Sequence, residues 1–176
     1  MEIQEATIEN IPVIHKLAYD IWPVTYKNII SPSQLSYMLD LLYSSANLQK
    51  QMEEQGHRFI ILYDYIYNSK LPVGFASFSK KSHGYPAYKL HKLYVLPNQQ
   101  GKGSGRFLIN YIISTITKEG GSVLELNVNR DNPAQYFYHK LGFTITKEED
   151  IDIGHGYFMN DYVMEKVIGH GPWSMV

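Results

Sequence analysis

Residues 88–113, YKLHKLYVLPNQQGKGSGRFLINYII, constrain this chain more than any other stretch. Residues 88–96 are aromatic, aliphatic or β-branched often enough to specify a strand, and Pro97, which has no N–H for a ladder, ends it. Leu108, Tyr111, Ile112, Thr115 and Ile116 then recur at helical spacing. Between the two stand glycines at alternate positions, Gly101, Gly103 and Gly105. A helix start presents unpaired N–H groups and the positive end of the helix dipole, and glycines let the oxygens of an anion come close to that backbone. The junction therefore describes a phosphate cradle.

Two nucleotide-binding registers are excluded by the letters. A Walker loop needs Lys followed by Ser or Thr to reach magnesium, whereas Lys102 is followed by Gly103. A dinucleotide fingerprint counted from Gly101 needs glycine at Arg106, and one counted from Gly103 needs it at Leu108. What remains is Gln-x-x-Gly-x-Gly, carried by Gln100, Gly103 and Gly105.

The rest of the chain reads as support for that junction. Residues 2–6 suggest a short strand, after which Asn10 is placed to cap a helix with Pro12 in its first turn and Ile11, Ile14, Leu17, Ala18 and Ile21 on its buried stripe. Trp22, Pro23 and Tyr26 read as an aromatic bend. Ser31 with Gln34 forms a capping box, Pro32 takes the first helical position, and Leu35, Met38, Leu39 and Leu42 share one face. Residues 45–55 predict a further short helix ended by Gly56. Residues 58–67 and 73–79 are β-rich runs joined by a polar turn over 68–72, which predicts an antiparallel hairpin. Residues 80–87 are a polar connection into the opening strand.

Beyond the junction helix, Gly120 and Gly121 precede a strand over 123–128, and a last helix begins near Asn132 and Pro133, carries Ala134, Phe137 and Leu141, and stops at Gly142. Two closing strands follow over 143–147 and 157–166, separated by an acidic linker over 148–152 and by Gly154 and Gly156. The tail, IGHGPWSMV, has no usable periodicity. The order is mixed α/β.

Composition narrows the function classes. The 176 residues suit one domain with a real core, and 44% hydrophobic against 19% charged residues is globular. A net charge of −1 supplies no basic field, so no nucleic-acid partner is expected. Absence of cysteine removes disulfides, thiolate catalysis and thiolate metal sites, and fits a reducing cytoplasm. The seven histidines lie far apart without ligand spacing, so no metal is expected. MEIQEATIEN has neither the basic start nor the apolar run of a signal peptide, and no apolar stretch is long enough for a bilayer. The expectation is a soluble cytoplasmic protein with no membrane partner.

A second motif joins the glycine loop. Residues 132–143 read NPAQYFYHKLGF, with Asn132, Ala134, Tyr138, Lys140, Gly142 and Phe143 in register. On these two motifs, in this order and one helix and one strand apart, the chain resembles the GNAT superfamily of acetyl-CoA-dependent N-acetyltransferases, and more loosely its spermidine/spermine acetyltransferase branch through Trp22, Tyr26 and Ser31-Pro32. The resemblance implies a central, mostly antiparallel sheet flanked by helices, with splayed fourth and fifth strands and the pantetheine arm lying in the opening. It implies one N-acetyltransferase domain over 1–176: a helical acceptor-side region at 1–56, an acetyl-CoA-binding core at 57–168 and a tail at 169–176.

The implied roles follow residue by residue. The loop amides of Gln100, Gly101, Lys102, Gly103, Ser104, Gly105 and Arg106 would bind the pyrophosphate of acetyl-CoA, and main-chain groups of Leu93, Tyr94 and Val95 the acetyl and pantetheine amides. Asn132, with Ala134 and Lys140, would contact the cofactor, and Tyr138 would donate a proton to the departing thiolate, a role that suits a phenol protonated at neutral pH. The glutamate that many relatives carry early on the fourth strand is missing from residues 88–91, which leaves His91 as candidate base; a structural histidine, water-relayed deprotonation or no dedicated base are the alternatives. Trp22, Tyr26, Tyr37 and Tyr43 would line the acceptor end, with Glu148, Glu149, Asp150, Asp152 and Asp161 supplying negative charge; core aromatics and a solvated acidic turn are the bland counterpart. The expected activity is acetyl transfer to a primary amine, a small amine or polyamine. Protein N-termini or lysines, or a non-catalytic acyl-CoA-binding module, are the alternatives, and a homodimer is left open.

Overall fold

The structure, a computed structural model, describes residues 1–82 and 86–169. The tail from residue 170 onward and residues 83–85 of the polar connection lie outside the described residues. The chain divides into two compact units, one joining Met1–Ser79 to Lys92–Ile109, the other joining Lys80–His91 to residues from 110 on.

The first unit begins with β1 (Glu2–Glu5), α1 (Ile11–Thr25), α2 (Pro32–Tyr43) and α3 (Ser45–Glu53). Ser31 starts α2 as its spacing predicts, its Oγ accepting from the Gln34 N–H at 3.2 Å with Pro32 at the first helical position. Asn10 does something other than cap α1. Its Oδ1 accepts from the Thr7 N–H at 2.9 Å and closes a 3-10 turn over Ile8–Asn10, so α1 starts without a side-chain cap and with Pro12, whose missing N–H needs no partner there. The bend expected at Trp22 and Pro23 is also replaced by helix, since α1 runs through Pro23 to Thr25. A proline this close to a helix end forfeits one backbone bond, which the complete burial of Ile21 and Trp22 on the core face offsets.

Two strands follow, β2 (Arg58–Ile66) and β3 (Ser69–Lys80), paired antiparallel from Arg58↔Phe78 to Ile66↔Ser69. The predicted five-residue turn is shortened to Tyr67-Asn68, both at positive φ (49° and 63°), the backbone of a type I′ hairpin turn. Pro72 lies inside β3, tolerated because the ladder shifts register there, opposite Leu62 and Tyr63. In the core of this unit lie Phe59, Ile60, Ile61, Leu62, Phe75 and Phe78.

Next comes β4 (Ala87–Val95), whose first half belongs to the second unit and whose second half to the first. α4 (Ser104–Lys118) follows the glycines, then β5 (Val123–Asn129), α5 (Ala134–Lys140), β6 (Thr144–Gly154) and β7 (Tyr157–Val167). The predicted acidic linker is strand: Glu148, Glu149, Asp150 and Ile151 pair with Tyr162, Asp161, Asn160 and Met159. The β-rich partner strand supplies the ladder, and His155-Gly156, at φ 54° and 78°, closes it as a two-residue turn.

Strand order is β1-β2-β3-β4-β5-β7-β6. The ladders β1/β2, β2/β3, β5/β7 and β6/β7 are antiparallel, whereas β4 and β5 run parallel. Their register covers Ala87–Leu90 against Val123–Leu126 and then stops, although β4 continues to Val95 and β5 to Asn129. This is the mixed sheet with splayed fourth and fifth strands that the motifs led us to expect.

Candidate functional site

The site residues of the first unit start from the outgoing end of β4, beyond its register with β5. Leu96 donates its N–H to the Val73 carbonyl at 2.8 Å, and the ideal Cβ position of Gly74 lies 2.7 Å from the Tyr94 carbonyl oxygen, so the two backbones meet where no other residue fits. A 3-10 turn over Pro97–Gln99 then delivers the chain to the glycines. Gln100 donates its side-chain N–H to the Val95 carbonyl at 3.1 Å, pinning the loop back onto the strand.

Gly101 and Gly103 have φ of +75° and +82°, a region other residues rarely adopt, and a Cβ at either would meet nothing within 4 Å. Their freedom is therefore needed for the path of the backbone, and the space in front of it is open. The first α-helical bond of α4 runs from the Phe107 N–H to the Gly103 carbonyl at 2.9 Å, so the N–H groups ahead of it face out of the helix end. Ser104 is buried with its Oγ on the Gln99 carbonyl at 3.4 Å, and Lys102 Nζ donates to Gln99 Oε1 at 3.0 Å. Gly101, Lys102, Gly103 and Arg106 are exposed, while Gly105 opens the helix. An anion's oxygens fit this arrangement of open backbone, helix dipole and nearby cations.

Behind the end of β4 lies an aromatic cluster. Trp22 is 4.5 Å from Tyr26, 5.3 Å from Tyr43 and 5.6 Å from Tyr94 between ring centroids, and Phe75 is 5.9 Å from Tyr43 and 5.8 Å from Tyr94. Tyr26 and Tyr94 share a hydrogen bond of 2.9 Å between their hydroxyls. Trp22, Tyr26 and Tyr43 are buried, Trp22 meeting Tyr43 edge-on and Tyr26 at a tilt, and burial holds the Tyr43 phenol well above its ordinary pKa. Tyr37 is half-buried on α2.

One polar group in this unit escaped the sequence reading. Lys92 is buried, its Nζ donating to Gln51 Oε1 at 2.7 Å and lying 5.6 Å and 5.4 Å from the Tyr43 and Phe59 rings. Burial pulls its pKa down to about 7. The signal was present: Lys92 is in phase with Tyr88 and Leu90, the inward positions of β4. Burial and the Lys92 charge together bring His57 down to about 4.

In the second unit, His91 is half-buried at the last position of its half of β4. Asn132 is buried and its Oδ1 accepts from the Ala134 N–H at 2.9 Å, which starts α5. Tyr138 is buried on that helix with its ring edge-on to Phe137 at 5.2 Å and Phe143 at 5.7 Å, whereas the predicted stripe residue Phe137 is only half-buried. Lys140 is exposed and Ala134 half-buried. Gly142, at φ +87°, ends α5, and Lys166 Nζ donates to the Leu141 carbonyl at 2.5 Å beside it.

The five carboxylates expected to act together are sorted by the β6/β7 ladder. Arg130 takes Glu148 at 3.0 Å and Asp150 with its other terminal nitrogen, and Lys147 pairs with Glu149. Asp152 accepts from the Gly154 N–H at 2.8 Å. Asp161 differs, being 5% exposed and accepting from Asn127 Nδ2 at 3.4 Å, an amide that also donates to Glu149 at 3.1 Å. Burial raises its pKa. Among the described residues no group of three or more His, Cys, Asp or Glu is arranged to hold a metal ion, and no helix is long and apolar enough to cross a membrane.

Comparison with known proteins agrees with this geometry. The chain is 26% identical over 167 residues to spermidine N(1)-acetyltransferase of Thermoplasma acidophilum, covering 94% of this chain and 96% of that protein. It is 35% identical over 78 residues to L-methionine sulfoximine/L-methionine sulfone acetyltransferase of Salmonella typhimurium, 43% of this chain and 46% of that one. Among solved structures, the PaiA N-acetyltransferase of Thermoplasma acidophilum in complex with coenzyme A superposes with a TM-score of 0.75 at 24% identity, covering 94% of this chain and 98% of the other. A family model described as an acetyltransferase (GNAT) domain matches residues 29–164, most of the chain. The chain thus belongs to the GNAT family of N-acetyltransferases.

Proposed function

We propose that this protein transfers acetyl from acetyl-CoA directly to the primary amine of a small cationic acceptor such as a polyamine. The observation that carries the reading is the loop over 100–103, where open, positive-φ glycines lead into a helix of 15 residues. That backbone suits a pyrophosphate, with Lys102 and Arg106 as nearby cations. The donor supplies an activated thioester; the chain's part is to bind it, orient the amine and move protons.

In this reading Leu93, Tyr94 and Val95 bind with their main chain. The Val95 carbonyl accepts from Gln100 and keeps a second lone pair, while the polarising N–H groups come from the same stretch. Asn132 has its Oδ1 committed to Ala134, which leaves its Nδ2 to donate to a pantetheine carbonyl. Tyr138 hands its phenolic proton to the leaving sulfur, and His91 accepts one from the ammonium of the acceptor. Ala134 and Lys140 flank the cofactor. Asp161, buried beside Asn127, is the candidate for the acceptor's positive charge, and Trp22 and Tyr26 are the candidates for its apolar chain. That the Thermoplasma acidophilum relative is a spermidine N(1)-acetyltransferase supports the acceptor class.

A thiol-release assay with acetyl-CoA over polyamines, aminoglycosides and peptides tests this. Turnover with polyamines is expected; tight acetyl-CoA binding with silence across the panel would refute it. Tyr138→Phe should lower kcat at least tenfold while leaving acetyl-CoA affinity within about twofold. Equal loss of both would remove the acid role.

A further inference from the structure

The mechanism above makes no use of Lys92, yet the first unit surrounds that side chain with contacts. On α3, Gln51 is fixed at both ends of its amide: Nε2 donates to the Leu42 carbonyl near the end of α2 at 2.9 Å, so Oε1 is the end presented to Lys92, at 2.7 Å. The ammonium lies near the faces of Tyr43 from α2 and Phe59 from β2. His57, just ahead of β2, donates its backbone N–H to the Gln51 carbonyl at 3.0 Å, and the Lys92 charge acts on its imidazole. These groups from α2, α3 and β2 face Lys92, and burial is what lowers its pKa.

Lys92 immediately precedes Leu93, Tyr94 and Val95, and Val95 holds the glycine loop through Gln100. A continuous chain of polar contacts and backbone therefore leads from the Leu42 carbonyl through Gln51 and Lys92 to the loop. We propose that Lys92 is a positioning residue, which through Gln51 sets the placement of the outgoing half of β4 and its glycine loop and thereby the affinity for acetyl-CoA. The inference rests on the functional reading just given. A protonated Lys92 holds Gln51 by a charge-assisted bond, a neutral one by an ordinary bond, so the grip loosens as the proton leaves.

The test is acetyl-CoA affinity by calorimetry, and KM and kcat by thiol release, from about pH 5.5 to about pH 9 for wild type, Lys92→Met and Gln51→Leu. Wild-type affinity should fall roughly fivefold through a step near neutrality, the ratio between a charge-assisted and a neutral hydrogen bond. Lys92→Met should abolish that step and bind roughly fivefold more weakly at the acid end, with KM raised and kcat retained. Gln51→Leu should likewise abolish the step and bind roughly fivefold more weakly at the acid end, because the coupling runs through its amide. Titration of the cofactor phosphates is common to all three proteins and cancels in the comparison.

Superimposable pH profiles in all three folded proteins would overturn the positioning role, and so would a loss confined to kcat. Failure of the wild type to bind acetyl-CoA would instead overturn the functional reading on which it rests. Lys92→Met is expected to fold, since an apolar side chain of similar length replaces a buried charge; should its melting show otherwise, Gln51→Leu alone still decides, a persisting step overturning the positioning role.

Discussion

Replacing Lys92 by methionine should make this protein more stable at neutral pH and change how its stability depends on pH. Burial lowers the Lys92 pKa from 10.5 to about 7 in the folded state. Between those values the unfolded chain carries a proton that the folded chain lacks, so wild-type stability rises with pH across the window, by about 1.4 kcal/mol per pH unit. The full span of 10.5 − 7 units corresponds to roughly 5 kcal/mol, present above the unfolded pKa and lost as pH falls to the folded one. Against this, the methionine variant leaves Gln51 Oε1 without its donor, at a cost of about 1–3 kcal/mol. At about pH 7 the variant should therefore be the more stable by roughly 2–4 kcal/mol, and between about pH 7 and about pH 9.5 that advantage should shrink by roughly 3 kcal/mol. Urea unfolding of both proteins at four pH values measures the difference directly, and titrations common to both cancel. Stability curves that run parallel within about 0.5 kcal/mol over the window would refute the argument that Lys92 is desolvated in the folded chain.

Three further expectations follow from single positions. Gly74→Ala should destabilise by about 1–3 kcal/mol and weaken acetyl-CoA binding, because its Cβ would stand 2.7 Å from the Tyr94 carbonyl oxygen and backbone cannot swing aside; unchanged urea midpoints would contradict the close approach. Gly103→Ala meets open space, so its cost is the positive φ alone, about 1–2 kcal/mol, which should lower Tm by a few degrees and weaken acetyl-CoA affinity; unchanged melting and affinity would contradict the need for glycine there. His57 is expected to give an acid limb of stability. Its folded pKa of about 4 lies below 6.5, so stability is present above the unfolded value and falls as pH drops toward the folded one; in His57→Gln that decline should be shallower, as thermal melts across the range would show.

Much of the fold is legible because it is encoded locally. The Ser31-Pro32 start of α2, the strand before Pro97 and the buried stripe of α4 follow from caps and periods spanning a few residues. The errors occur where local patterns compete. Asn10 is a good helix cap, but Thr7 uses it first to close a turn, and Pro23 marks a helix end only if the burial of Ile21 and Trp22 beside it does not hold the last turn together. The acidic run in β6 looked like a linker because charge disfavours a strand in isolation; β7 and Arg130 supply what the segment lacks.

The residues that bear on function divide the same way. The sequence by itself determined the glycine loop and the motif around Asn132 and Tyr138, since both are short strings whose spacing is the chemistry. Only the tertiary structure decided what distant partners do to each side chain. Gln51 reaches Lys92 across 41 positions, Asn127 reaches Asp161 across 34, and Arg130 bridges two carboxylates on β6. Burial and pairing of this kind depend on strand register and helix docking, which no short window contains, and they determine which charges stay compensated and which are left for a ligand.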